Sequence, residues 1–104
     1  MGRKKHLNLL KEFKRKLSEK ILIKKMVLFG SRAGGKPHRW SDFDLIIVSE
    51  DFKGEDSLNR AIGFYDYWDL DYPVDFLCYT PEEFNNLKKR ITIIREAVKG
   101  GIVI

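Results

Sequence analysis

Cysteine is nearly absent from the chain, which contains a single one, Cys78. One cysteine excludes an internal disulfide, and proteins without disulfides are typical of reducing compartments. The sequence also has no run of about 18 apolar residues, the length that a membrane-spanning helix needs. Its basic start, residues 1–6, leads into a segment interrupted by lysines and not into the apolar stretch of a secretory signal. We therefore expect a cytoplasmic protein.

Histidine is almost as scarce as cysteine. His6 and His38 are the only two, and neither has a partner at the spacing of zinc ligands, which argues against a zinc site. The sequence shows no repeat, low-complexity tract or linker, and its 104 residues suit one domain. With 43% hydrophobic residues the chain can form a core of its own. We predict a single domain over residues 1–104.

Acidic residues are in the minority. The chain has 20 lysines and arginines against 15 aspartates and glutamates, which gives a net charge of +5 and a pI of about 9.4. A basic surface suits a polyanionic partner, such as nucleic acid, a nucleoside triphosphate or an acidic protein. A requirement for solubility explains the same charge equally well.

The spacing of apolar residues predicts helices and strands in alternation. The predicted helices cover residues 6–24, 57–68 and 81–99. The last of them begins with a capping box, Thr80 and Glu83, with Pro81 at the first helical position, and it ends at Gly100.

Short apolar runs between these helices predict the strands. The predicted strands cover residues 26–29, 42–48 and 73–79, with a short edge strand at 102–104. This order of elements indicates an α/β or α+β domain, in which a small mixed sheet has helices packed on it.

An aromatic cluster precedes the third predicted strand. Its members are Phe64, Tyr65, Tyr67, Trp68 and Tyr72. Part of the cluster must belong to the core, and the rest is a candidate for stacking on a base or for binding a partner. Cys78 lies in a predicted buried strand, where we expect it to be inert and not a nucleophile.

Two aspartates mark the start of the second predicted strand. Asp42 and Asp44 are two residues apart, so in a strand their side chains point to the same face. Neighbouring carboxylates repel each other, and a bound divalent cation such as Mg²⁺ relieves that repulsion. The pair is therefore a candidate metal site. Two solvated aspartates at an exposed strand end are an equally good interpretation of these residues alone.

Gly30 and Ser31 follow directly after the first predicted strand. Glycine lets a phosphate approach the backbone closely, and a serine hydroxyl with nearby amides can donate to phosphate oxygens. Arg32 begins a basic loop that leads to Asp42, and positive charge there suits a triphosphate. An ordinary turn followed by a solvated loop explains the same residues.

A third acidic residue, Asp75, lies between Val74 and Phe76 in the third predicted strand. A carboxylate among apolar neighbours is costly unless it is paired or binds a metal. If this strand lies beside the strand of Asp42 and Asp44, Asp75 joins their cluster and can accept a proton from an attacking hydroxyl. Otherwise it is a strand-edge aspartate, bonded to the backbone or to a basic side chain.

Together these residues resemble a known signature. Phe29-Gly30-Ser31, a spacer of ten residues and then Asp42-Phe43-Asp44-Leu45 are similar to the motif of the DNA polymerase beta-like nucleotidyltransferase superfamily. The sequence looks most like the minimal nucleotidyltransferases, the MntA-type proteins, whose third carboxylate Asp75 fits. The resemblance covers residues 24–104. It implies the α/β (α+β) nucleotidyltransferase fold, a small mixed sheet with helices packed on one side.

The resemblance also implies a role for each matched residue. The nucleotide-binding residues would be Gly30, Ser31 and Arg32. The catalytic and metal-binding residues would be Asp42, Asp44 and Asp75, which would hold two Mg²⁺ ions, and Asp75 would also activate the acceptor hydroxyl. ATP would be the substrate, attacked at its α-phosphorus, with pyrophosphate as the leaving group.

The family further implies a partner. Minimal members often pair with a helical HEPN toxin as its antitoxin, and some transfer AMP to a tyrosine of that toxin. For this chain the resemblance implies the same role, with an N-terminal helix region over residues 1–24 and a catalytic core over residues 25–104. Three alternatives stay open: neutralisation by binding alone, transfer to RNA, and transfer to a small molecule. Nucleic acid is the less favoured partner, and a homo-oligomer is compatible with the sequence.

Overall fold

Four short apolar segments form the strands of one mixed sheet. The computed structural model describes residues 2–30, 42–57, 59–90, 95 and 99–104, with side chains described from residue 4 onward. The elements are α1 (Gly2–Leu17), β1 (Lys25–Phe29), β2 (Phe43–Val48), β3 (Val74–Tyr79), α2 (Pro81–Arg90) and β4 (Ile102–Val103). Two short 3-10 turns, Glu50–Phe52 and Phe64–Tyr67, lie between β2 and β3. No helix in the described ranges is long and apolar enough to cross a bilayer.

The strands lie in the order β3-β2-β1-β4. β1 is antiparallel to both β2 and β4, whereas β2 and β3 are parallel. The sheet is therefore mixed, and together with the two helices it confirms the predicted α+β fold class. The short edge strand that the sequence places at the C-terminal end is confirmed as β4.

Apolar side chains cover both faces of this sheet, because alternate residues of β1 and β2 are apolar on each side. The larger cluster joins α1 to the first face, with these fully or almost fully buried members: Leu10, Phe13, Leu17, Met26, Leu28, Phe43, Leu45, Ile47, Phe52 and Phe64. The smaller cluster lies on the second face and consists of Val27, Ile46, Val48 and Phe84.

The helices are thereby distributed over two faces, whereas the sequence suggested one side. α1 packs on the first face, and Phe84 from α2 packs on the second, where it is 3% exposed. The physical reason is that Val27, Ile46 and Val48 are apolar and need cover on their own side.

Two predicted helices differ from the structure, one in its boundaries and one in being absent from the described residues. The helix expected over residues 6–24 starts at Gly2 and ends at Leu17, and Ile21 still packs against the core from the turn that follows. The helix expected over residues 57–68 is wrong: the described residues there form turns and the short 3-10 turn Phe64–Tyr67. Gly63, at φ 92°, has a left-handed conformation that an α-helix does not contain.

The capping box at the start of α2 is confirmed. The Glu83 carboxylate accepts from the Thr80 backbone N–H at 2.9 Å, and the Thr80 hydroxyl accepts from the Glu83 N–H at 3.2 Å. The predicted stripe of Ile91, Ile94 and Val98 lies outside the described residues.

Arg60 links three parts of the chain from a position that is 8% exposed. Its guanidinium donates to both Glu83 carboxylate oxygens, at 2.5 and 3.1 Å, and to the backbone carbonyls of Glu55 and Cys78, each at 3.2 Å. It also lies 5.8 Å from the centre of the Phe52 ring. One side chain thus ties the β2–β3 connection to β3 and to α2.

Replacing this side chain should be costly. Arg60→Ala removes charge-assisted hydrogen bonds and packing together, so we expect a loss of about 2 kcal/mol in the free energy of unfolding. Arg15→Ala is the matched control, because its ion pair with Glu12 is exposed on both sides and should contribute little to the free energy of unfolding. Urea unfolding of both variants checks this, and equal losses would contradict a structural role for Arg60.

Candidate active site

The chain turns sharply where β1 ends, at Gly30. Gly30 has φ 78°, and a Cβ built on it would lie 2.6 Å from Asp44 Oδ2, far inside contact distance. Asp44 pairs with Phe29 across the antiparallel β1–β2 ladder, which brings its carboxyl beside the glycine. Glycine is therefore needed here, because it adopts a positive φ and has no Cβ, so that the Asp44 carboxylate can lie against the turn.

Asp44 and Asp75 are direct neighbours in the sheet. The parallel ladder pairs them residue for residue, and strands in a sheet lie about 4.8 Å apart. Their side chains share the second face, since Phe43 and Leu45 on either side of Asp44 are buried in the first-face cluster. The sequence left open whether these two strands are adjacent, and the structure pairs them.

Asp42 comes immediately before β2 and is exposed. Burial raises the pKa of Asp44 above its ordinary value, and the charges of Asp75 and then Asp42 raise the pKa further. The three carboxyl groups thus interact through their charges, and Asp44 carries the electrostatic cost of the cluster.

The three carboxyl groups are not arranged as a preformed metal-binding site. Within the described residues, no group of three or more histidine, cysteine or acidic side chains is placed so that it could hold a metal ion. The metal-binding role of Asp42, Asp44 and Asp75 stays a prediction. So do the nucleotide-binding roles of Ser31 and Arg32, which lie outside the described residues.

Aromatic rings pack around Phe43, the residue that lies between Asp42 and Asp44 at the start of β2. The Phe43 ring packs edge-on against His6 at 5.4 Å, and against Trp68 and Tyr72 at 5.5 Å each. Sequence reasoning singled out the two aromatic residues but gave His6 no role. No local signal reveals this contact, because His6 reaches the site from α1, far away in the sequence.

Cys78 lies half-buried on β3. Burial raises the pKa of its thiol to about 12, so the thiol stays protonated and unreactive at neutral pH. This agrees with the expectation that Cys78 is not a nucleophile.

Substitution of Gly30 tests the close approach of Asp44. Gly30→Ala should lose about 1–2 kcal/mol from backbone strain and about 1 kcal/mol more because the Asp44 carboxyl must move. Gly54→Ala is the matched control, with φ 84° and nothing within 4 Å of the added Cβ. This substitution should therefore cost only the backbone strain. Urea unfolding measures the difference, and equal losses would show that Asp44 moves aside freely.

The raised pKa of Asp44 predicts a pH-dependent stability. Ionisation of Asp44 is harder in the folded state, so the folded state loses stability as the pH rises from the ordinary carboxyl pKa of about 4 through the raised value. In metal-free buffer, Asp44→Asn should therefore be more stable than the parent at pH 7, and the two should converge below about pH 4. The exposed Asp71→Asn is the control and should show no such gain. A gain that persists unchanged at low pH would contradict the electrostatic cause.

Comparison with known proteins supports one family. Residues 10–99 match the model of the nucleotidyltransferase domain. A protein of Haemophilus influenzae named probable protein adenylyltransferase MntA is 33% identical over 93 residues, covering 74% of this chain and 79% of the relative. A crystal structure from Sulfolobus solfataricus, described as that of a putative nucleotidyltransferase, superposes with a TM-score of 0.68 at 20% identity, covering 97% of this chain and 80% of the other.

The family match covers most of the chain, and the structural likeness independently supports the fold. The Gly30 turn and the acidic residues of β2 and β3 fall within the matched range. The chain therefore belongs to the nucleotidyltransferase domain family, and it is a transferase of nucleotidyl groups.

Proposed function

We propose that the chain transfers AMP from ATP to a protein hydroxyl in a Mg²⁺-dependent reaction, with Gly30, Asp42, Asp44 and Asp75 at its centre. The observation that carries this proposal is the pairing of Asp44 with Asp75 in the parallel ladder, directly beside the Gly30 turn. Two acidic side chains on one sheet face, next to the glycine turn, suit the metal ions that accompany a bound triphosphate.

The chemistry of these donors fits Mg²⁺. Carboxylate oxygens are hard ligands. Burial raises the pKa of Asp44, the charges of Asp75 and Asp42 raise it further, and a cation would relieve this repulsion. Asp42, Asp44 and Asp75 would hold the two ions. When bound, the ions supply positive charge at the entering and leaving oxygens of the phosphoryl transfer.

The chain's own residues would bind and orient the reactants. Gly30 lets the Asp44 carboxylate lie against the turn at the end of β1, and Ser31 and Arg32 would donate hydrogen bonds to the triphosphate. Asp75 is the exposed member of the Asp44–Asp75 pair and would accept the proton of the attacking hydroxyl. The hydroxyl oxygen then bonds to the α-phosphorus, and the bond to the β-phosphate oxygen breaks to release pyrophosphate.

The acceptor in this proposal is a tyrosine of a HEPN-type toxin, and the chain is its cytoplasmic antitoxin. Support comes from the Haemophilus relative, whose name specifies a protein acceptor, and from the likeness to minimal nucleotidyltransferases. On this view the whole of residues 1–104 is one catalytic domain, with residues 1–24 as its helical N-terminal region.

Incubation with labelled ATP, Mg²⁺ and a HEPN-type toxin from the same organism tests this function. We expect label on a toxin tyrosine, abolished in the Asp42→Ala and Asp44→Ala double variant because the metal ligands are removed. Asp71→Ala, an exposed aspartate outside the site, should transfer at the parent rate. Mass spectrometry of the toxin identifies the modified residue.

Other outcomes separate the alternatives. If the double variant labels the toxin as well as the parent does, the proposed site is wrong. If the double variant fails to label but neutralises the toxin fully in cells, neutralisation is by binding alone. If RNA takes the label in preference to the toxin, the acceptor class is wrong although the transfer chemistry stands.

A further inference from the structure

One of the chain's four tyrosines is presented to solvent. Tyr65 is 56% exposed, whereas Tyr67, Tyr72 and Tyr79 are half-buried. Tyr79 also stacks on Phe84, and burial raises the pKa of its hydroxyl. For Tyr65, the described part of the chain supplies no hydrogen bond to the hydroxyl. A reaction that modifies tyrosine hydroxyls would therefore find Tyr65 the most accessible of the four.

The Tyr65 ring is held in place at its base. The residue lies in the 3-10 turn Phe64–Tyr67, which starts from the left-handed Gly63 and is anchored by the buried Phe64. The Tyr65 ring packs edge-on against Phe76 at 5.1 Å. An exposed hydroxyl on a fixed ring loses little conformational freedom when it binds, which favours its use as an acceptor.

The segment around Tyr65 has the charge opposite to that of the whole chain. Residues 55–71 contain five acidic residues against a single arginine, while the chain as a whole carries +5. That arginine, Arg60, is buried and paired with Glu83, so it adds little positive charge to the surface. The rest of the molecule is therefore strongly basic, and a second copy attracts this acidic segment.

The geometry disfavours transfer within one molecule. Tyr65 packs on Phe76, whose side chain joins the first-face cluster. The preceding residue, Asp75, points to the second face together with Asp44. The Tyr65 ring and the carboxylates of the same chain thus belong to opposite faces of the sheet.

We propose that Tyr65 is a self-modification site, adenylylated in trans by the carboxylate site of a second copy of the chain. This inference rests on the proposed AMP transfer and extends it to a second protein substrate. The Tyr65 Oη attacks the α-phosphorus of ATP bound to the other copy, an O–P bond forms, and pyrophosphate leaves. The phenolic proton passes to Asp75 of the catalysing copy. The product carries a phosphodiester on Tyr65 and an added negative charge in the acidic segment.

Two distinguishable copies test the proposal. The donor copy is Tyr65→Phe, which keeps the carboxylate site. The tagged acceptor copy is the Asp42→Ala and Asp44→Ala double variant, which keeps Tyr65 but cannot catalyse. After incubation with ATP and Mg²⁺, mass spectrometry should find AMP on Tyr65 of the acceptor copy. Circular dichroism shows whether the acceptor copy is folded, and Asp75→Asn replaces the double variant if it is not.

Two further acceptor variants supply the matched comparison. Adding Tyr65→Phe to the acceptor copy should abolish the label, and adding Tyr67→Phe, a change of the half-buried neighbour, should leave it. Labelling should also decline as salt is raised, because screening weakens the attraction between the acidic segment and the basic second copy.

The inference is overturned if the label falls on another residue, or if Tyr65 stays unmodified while the donor copy labels the toxin. The second result would leave the proposed function intact. If the donor copy transfers AMP to no acceptor at all, including the toxin, the proposed function and the self-modification are both wrong.

Discussion

The register of the parallel β2–β3 ladder is the constraint on which the site depends. It places Asp44 directly beside Asp75, although two ionised carboxylates at neighbouring positions destabilise a sheet. The adjoining positions hold the strands together in spite of this, because Phe43, Leu45 and Ile46 are fully buried. The core thus keeps an unfavourable electrostatic arrangement in place, and a cation can convert that repulsion into binding.

Both faces of the sheet contribute to this arrangement. On the first face, α1 and the aromatic rings packed around Phe43 fix the start of β2, where Asp42 and Asp44 are located. On the second face, Phe84 covers the far end of the strands and leaves the carboxylate end to the Gly30 turn. The candidate site therefore lies at one end of a sheet that is packed from two sides, which limits how far its backbone can shift.

The sequence predicted those parts of the fold that depend on local signals. The strands around Val27, Ile46 and Leu77, and the Thr80–Glu83 capping box, were identified because their cues lie within a few residues of each other. The predicted helix over residues 57–68 is wrong because apolar spacing does not reveal the left-handed conformation of Gly63, which ends any helix there.

The candidate site was predictable in its residues but not in its geometry. Asp42, Asp44 and Asp75 stand out as acidic residues in apolar strands, yet only the strand order shows that Asp44 and Asp75 are neighbours. The contact of His6 with Phe43 and the ion pair of Arg60 with Glu83 join residues far apart in sequence. The spacing of residues that are close in sequence does not indicate tertiary contacts of this kind, so the sequence alone does not reveal them.

The Arg60 guanidinium has one more consequence, for the outer edge of the sheet. β3 is an edge strand, and Pro73 and Tyr79 direct their carbonyls toward β2, so the alternate carbonyl of Cys78 points outward. Arg60 donates to that outward carbonyl while its own position is fixed by Glu83. A strand arriving from another molecule would have to displace a buried, paired cation before it could hydrogen-bond there. The sheet is thereby protected at this point from edge-to-edge polymerisation, the common route by which exposed strands aggregate.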